Sequence, residues 1–143
     1  MILVDTNVVS EAMKASPTVA VFDWLNAQDS AQLYVSAVTI GEIEYGLRIL
    51  PDGKRRRDLR ECFNRYIARA FPSRILTYDE AAARVYGRLM GARRAIGRPM
   101  SLPDGQIAAI AAAHRFAIAT RNVKDFEECG IELINPFTFT PTS

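Results

Sequence analysis

The chain has 143 residues, close to the usual size of one domain, and at this length about 70% of the unfolded surface can be buried. With 49% hydrophobic and 24% charged residues the composition excludes a disordered chain, a coiled coil and a collagen-like repeat. The net charge of +2 hides a division, because residues 48 to 98 hold 14 Lys/Arg against 5 Asp/Glu, and that local +9 leaves −7 for the two flanks.

Short apolar strands alternate with helical patterns along the chain: Ile2 to Asp5, Leu33 to Ser36, Arg74 to Leu76, Ala117 to Thr120 and Glu132 to Ile134. Between them the spacing predicts a helix near Val8 to Met13, an amphipathic segment Val19 to Ala27 behind Pro17, and a helix after Ser36. An Arg-rich helix from Lys54 to Phe71, one after Asp79 to about Gly97, and an apolar one after Ser101 follow. This predicts an α/β fold, a small, mainly parallel β-sheet flanked by helices, in a single domain over 1–143. Sites in such sheets gather at the carboxyl ends of strands. The tail Asn135 to Ser143 lacks a core pattern and is expected to fray. The longest apolar run, Ile107 to Ala113, is far short of the ~20 residues of a membrane span, and no leader pattern precedes Ile2, so the chain reads as cytoplasmic, with no membrane partner. Cys62 and Cys129 form no CxxC pair and read as reduced thiols, and His114 is the single histidine.

Asp5 stands at the carboxyl end of the first strand, a site position, although Asp5 or Asn7 as a helix cap is an equally good reading. Glu42 shares a helical face with Val38, Tyr45 and Ile49, an acid in an apolar stripe that needs a proton, a partner or a metal. Glu44 falls on another face, with Arg48 four residues on as a solvated partner. Asp104 follows Ser101 at the spacing of a helix cap, yet it shares a face with Ile107, Ala108 and Ala111 and is expected to point inward. Gly105 beside it suggests a close approach to the backbone. Asn122 emerges where the fourth strand ends, with Asp125 three residues on.

Asp5, Glu42 and Asp104 gathered together would repel unless protonated or bridged by cations. Hard Mg²⁺ or Mn²⁺ prefers carboxylate oxygens and water and accompanies phosphate substrates, which points to metal-assisted phosphoester hydrolysis.

Four segments carry a resemblance. They are Ile2-Leu3-Val4-Asp5-Thr6-Asn7, the stretch Val35 to Gly46 with Glu42, Pro103-Asp104-Gly105-Gln106-Ile107-Ala108-Ala109, and Thr120-Arg121-Asn122-Val123-Lys124-Asp125-Phe126. In these the chain resembles the PIN-domain ribonucleases, and among them the VapC-type toxins of toxin–antitoxin pairs, including the FitB-like branch. The resemblance implies a PIN-like fold, Mg²⁺- or Mn²⁺-dependent endoribonuclease activity on RNA, a homodimer, and a cognate VapB-type antitoxin in a toxin–antitoxin hetero-oligomer. It marks Asp5, Asp104 and Glu42 as metal ligands and catalytic residues, with Asn122 where many members carry a fourth acid. Thr6 and Arg121 are the substrate-binding candidates beside them.

The basic stretches Lys54-Arg55-Arg56-Arg57 with Arg60, and Arg93-Arg94 with Arg98, offer a backbone-binding surface for RNA; a solvated helix face is the other reading. Arg57, Arg60, Phe63 and Tyr66 serve equally well to face an antitoxin or a second copy. The rival from another class is a catalytically weak PIN-like RNA- or protein-binding module, for which Asn122 is the motive. A dehalogenase-type hydrolase needs an acid where Asn7 stands, and no GxSxG, Walker A, GxGxxG or HExxH motif is present.

Overall fold

The computed structural model describes residues 1–142. Five parallel strands, β1 (Ile2–Val4), β2 (Leu33–Ser36), β3 (Ile75–Leu76), β4 (Ala117–Ala119) and β5 (Leu133–Ile134), lie in the order β3-β2-β1-β4-β5. Six helices surround them: α1 (Thr6–Ala12), α2 (Val19–Ala27), α3 (Ala37–Arg48), α4 (Lys54–Ala70), α5 (Glu80–Ala95) and α6 (Leu102–His114). The pairings are all parallel because every crossover returns to the same end of the sheet, and the Val, Ile, Leu and Ala side chains of β1, β2 and β4 are mostly buried between helix layers.

The chain builds outward from β1 in one direction through β2 and β3, then returns to the other flank for β4 and β5. The reversal lies between β1 and β4, and the crevice outside their carboxyl ends is where such sheets place ligands. One apolar cluster, with Leu3, Leu89, Ile107, Ile110, Ile118 and Phe126, packs α5 and α6 on one face of the sheet. A second, with Val8, Val9, Val21, Trp24, Val35 and Phe71, packs α1, α2 and α4 on the other.

Helix starts are written in the sequence: Asp5, Ser36, Asp79 and Ser101 all accept a backbone N–H in the first turn of their helices. The first helix therefore begins at Thr6, two residues before the expected Val8, with Asp5 as its cap. The run Ile107 to Ala111 is buried throughout, as its all-round apolarity predicts.

The tail corrects an expectation. Residues 135 to 139 do not fray: Asn135 Oδ1 accepts the Phe137 N–H at 2.9 Å, Pro136 is buried, and Phe137 and Phe139 pack against the second cluster. The aromatic side chains, sparse as they are, supply the apolar anchor that its prolines and threonines obscure. Ser143, the last residue of that stretch, lies outside the described residues. Gly105 is explained by packing: a Cβ there would stand 2.5 Å from Met90 Sδ and 2.9 Å from Tyr86 Cε2, so its missing side chain admits α5 rather than a ligand.

Candidate functional site

At the crevice between β1 and β4 the buried residue is Asp5, 4% exposed. Its main chain continues the sheet, donating to Ala119 O at 2.9 Å, so the carboxylate projects from the strand end that pairs with β4. Oδ1 accepts the Thr6 N–H at 2.8 Å, while Oδ2 accepts the Thr120 hydroxyl at 2.8 Å and Asn7 Nδ2 at 3.3 Å. Thr120 is fully buried and its one proton goes to Asp5. Its oxygen in turn accepts the Asn122 N–H at 3.0 Å, and Asn7 Oδ1 accepts the Arg121 N–H at 3.1 Å. Asn7 and Thr120 thereby fasten the start of α1 to the turn after β4.

A second hydroxyl relay holds Glu42. Thr6 Oγ1 donates to Glu42 Oε1 at 2.6 Å and lies 3.0 Å from Thr39 Oγ1. Since Thr6 has a single hydroxyl proton, Thr39 donates to Thr6, and the fully buried Thr39 is itself held by the Ser36 cap. Thr6, a substrate-binding candidate by sequence, is thus bonded within the protein to an acid. Ser36, Thr39 and Thr120 escaped the sequence reading as site residues; their signal was a hydroxyl at or just past a strand end that already bore an acid on its neighbour.

The electrostatics agree with a gathered acidic cluster. Burial, outweighing the Thr120 and Thr6 hydrogen bonds, pushes the Asp5 carboxyl up to about 6, and the charges of Asp104 and Glu42 add to the rise. Asp104, half-buried on the first turn of α6, is also raised, by desolvation above all; its Ser101 partner opposes this, and the charges of Asp125 and Glu42 reinforce it. The charges of Asp104 and Glu42 thus reach Asp5, and those of Glu42 and of Asp125, on the turn after β4, reach Asp104. Among the described residues no three Asp, Glu, His or Cys side chains close around a single point. The cluster is an open one, of hard oxygen donors, whose mutual repulsion a divalent cation would relieve.

Several expectations are corrected here. Glu42 is only half-buried and its stripe is not a core face: Tyr45 is 70% and Ile49 67% exposed, since α3 packs on the sheet through Thr39 and Leu47 instead. Glu42 lines two grooves, one running between α1, α3 and α4 past Met13 and Leu47, the other between α3 and α6 past Tyr45 and Pro103. Glu44 pairs with Arg60 of α4 at 3.4 Å rather than with Arg48 of its own helix. Asn122 contributes its backbone N–H to Thr120, while its side chain is exposed and caps nothing. The Arg121 guanidinium stacks on the Phe137 ring, 4.7 Å from its centroid, and so is engaged by the tail. Phe63 is 2% exposed and so is core, whereas Tyr66 is half-buried, packed against the second cluster at the edge of a groove with Cys62, Arg65 and Arg69. Arg93 is buried on main-chain carbonyls and Arg98 binds Glu127 and Lys124 O, which leaves Arg94 of that trio free on the surface.

Comparison with known proteins adds the decisive observation: the PIN domain profile matches residues 2–131. The chain belongs to the PIN domain family. A relative in Sinorhizobium fredii, the VapC ribonuclease Y4jK, is 42% identical over 96% of this chain and 98% of its own length. Toxin FitB of Neisseria gonorrhoeae is 34% identical over 96% of this PIN domain and 99% of its own length. A solved structure of FitAB bound to the IR36 DNA fragment superposes with a TM-score of 0.90 at 33% identity, covering 100% of both chains. The expected PIN fold is therefore the fold observed.

Proposed function

We propose that this PIN domain is a Mg²⁺- or Mn²⁺-dependent endoribonuclease acting as the toxin of a toxin–antitoxin pair. The observation that carries the reading is Asp5, buried at the reversal of strand order with its carboxyl raised to about 6 and pressed by Asp104 and Glu42. A buried acid in such company is costly to the fold unless it serves a positive ligand. The names of the relatives, VapC ribonuclease and Toxin FitB, support the same reading.

Asp5, Asp104 and Glu42 would hold the cation, with Asp125 a further acid at the rim. Bound there, a divalent ion supplies a water of lowered pKa and charge stabilisation at the phosphate. The protein's own part is orientation. Thr120 and the Thr6 N–H fix both oxygens of Asp5, so its unshared lone pairs have one direction, and the Thr39–Thr6 relay fixes Oε1 of Glu42 in the same way. The exposed Lys54, Arg55 and Arg57 on the first turns of α4 provide cations for the RNA backbone. The two grooves beside Glu42 suit a cognate VapB-type antitoxin, in a hetero-oligomer containing two copies of this chain, in the cytoplasm.

The test is cleavage of a tRNA and rRNA mixture by purified chain with Mn²⁺ or Mg²⁺, beside EDTA and Asp5→Asn controls. Cleavage lost in both controls is the expected result. A folded protein that cuts with neither metal would overturn the reading in favour of a non-cutting RNA- or protein-binding module, the reading that the uncharged, exposed Asn122 favours.

A further inference from the structure

Of the arginines in the basic stretch, Arg93 is turned furthest inward: it is 4% exposed, in the last turn of α5. Nε donates to Arg98 O at 2.7 Å, and Nη1 donates to Asp125 O at 3.0 Å and Glu127 O at 2.8 Å, with Cys129 Sγ at 3.6 Å. No carboxylate pairs with it among the described residues. A guanidinium taken out of water and satisfied by main-chain oxygens and one sulfur, with no carboxylate, is an expensive way to fill a core position that Met or Leu would fill more cheaply.

What those carbonyls belong to gives the residue its meaning. Arg98 lies on the connection that leads into Ser101 and Asp104 at the start of α6. Asp125 and Glu127 lie on the turn that follows Asn122 at the end of β4. One guanidinium therefore ties together the two segments that deliver the acids of the second half of the chain. Arg98 repeats the link from the surface, donating through Nη2 to Lys124 O and to Glu127 Oε2, both at 3.2 Å. The positive charge of Arg93 also reaches Asp104, opposing its neighbours there.

We propose that Arg93 is a positioning residue for the acidic site, an internal strut that holds the Asn122–Glu127 segment against the start of α6 and so sets where Asp125 and Asn122 stand relative to Asp104. Because it grips main-chain oxygens, the strut dictates the path of the backbone and leaves the side chains of that segment free for other work. Its fork geometry is the essential property, since three carbonyls from two segments are met by donors in one rigid plane. A lysine carries the charge but not the fork.

This inference rests on the metal reading for part of its test, and Arg93→Lys and Arg93→Met separate the two. The first measurement is amide hydrogen exchange in metal-free protein. Arg93→Lys is expected to speed exchange across residues 122–129 while β1 and α6 stay protected. The second is Mn²⁺ binding by calorimetry well below the Tm, where about a tenfold weaker Kd is expected for Arg93→Lys, the scale of a lost outer partner. The third is cleavage, with kcat falling and KM for RNA kept within twofold. A strut that merely stabilises would lower the Tm and leave the 122–129 amides, Mn²⁺ affinity and kcat at parental values, and that result would overturn the proposal. Should Arg93→Met fail to fold, Arg93→Lys and Arg98→Met decide the matter, with the smaller effect expected from Arg98. If the parent itself neither binds Mn²⁺ nor cleaves, the metal reading fails, and the exchange result alone still decides for or against the strut.

Discussion

The acids at the carboxyl end of the sheet and the arginines of residues 48 to 98 are both charge clusters in sequence, but they meet different fates in space. Asp5 lies just past β1, Glu42 in α3 and Asp104 at the start of α6, far apart in the chain, yet their charges meet because the helices that follow parallel strands all begin on one side of the sheet. The arginines are neighbours in sequence and diverge, because a helix turns successive residues around its axis. Arg55 and Arg57 face solvent, Arg60 meets Glu44, and Arg74 and Arg93 turn onto main-chain oxygens. Clustering along the chain is thus a poor guide to a shared surface on a helix, whereas a shared position at strand ends is a good one.

The sharpest way to break this contrast is at Asp5. Asp5→Asn is expected to lower metal-dependent cleavage of RNA by more than about 100-fold, above the loss usual for an outer partner. Retained activity in a gel assay would show that the convergence of acids is incidental.

The same residue has an opposite effect on stability. The folded state holds the Asp5 proton more tightly than the unfolded chain, so its contribution favours folding below the usual 3.8 and is lost as pH rises through about 6. A shift of that size corresponds to about 3 kcal/mol at neutral pH. Metal-free protein is expected to melt several degrees lower at pH 7.5 than at pH 5 through this group, and Asp5→Asn to remove most of that difference. Calorimetry at the two pH values checks it, and Mn²⁺ should restore the parent at pH 7.5.

On the arginine side, Arg74→Met removes bonds to Leu33 O and Ala70 O, both 2.9 Å, and to Pro72 O at 3.4 Å. The expected cost is about 2 kcal/mol in urea unfolding, with RNA affinity unchanged. The smallest effect belongs to the exposed pair: Arg55→Ala with Arg57→Ala should leave stability within about 0.5 kcal/mol and make the salt dependence of RNA binding shallower by one to two in log–log slope, roughly one contact each. An unchanged slope in a filter-binding series would assign that face of α4 to solvent.

The strand positions, most helix starts and the apolar α6 were legible because each rests on a local signal: an apolar run, a cap residue, a helix polar nowhere. The placing of Asp5 at a strand end and of Asp104 in a first helical turn was legible for the same reason, since both positions follow from local signals. The details that depend on which element packs where were not. Glu44 chose Arg60 over Arg48, Gly105 was spent on Met90 and Tyr86, and Arg121 was taken by Phe137 of a tail whose pattern suggested no structure at all. The hydroxyls of Thr39 and Thr120 were missed because threonine inside a strand or helix start is ordinary, and only the partner 33 or 115 residues away makes it part of a site.

That separation has a consequence for how the protein comes into being. A chain made from its amino end carries Asp5 and Glu42 early, but the hydroxyl that aims Asp5 belongs to Thr120, next to a strand that must slot in beside β1. Parallel pairing across such a distance is among the slower events in folding. A growing or truncated polypeptide therefore holds Asp5 and Glu42 with their early partners but without the Thr120 hydroxyl or Asp104, and whatever this crevice does to nucleic acid can begin only after the segment that carries Thr120 has left the ribosome.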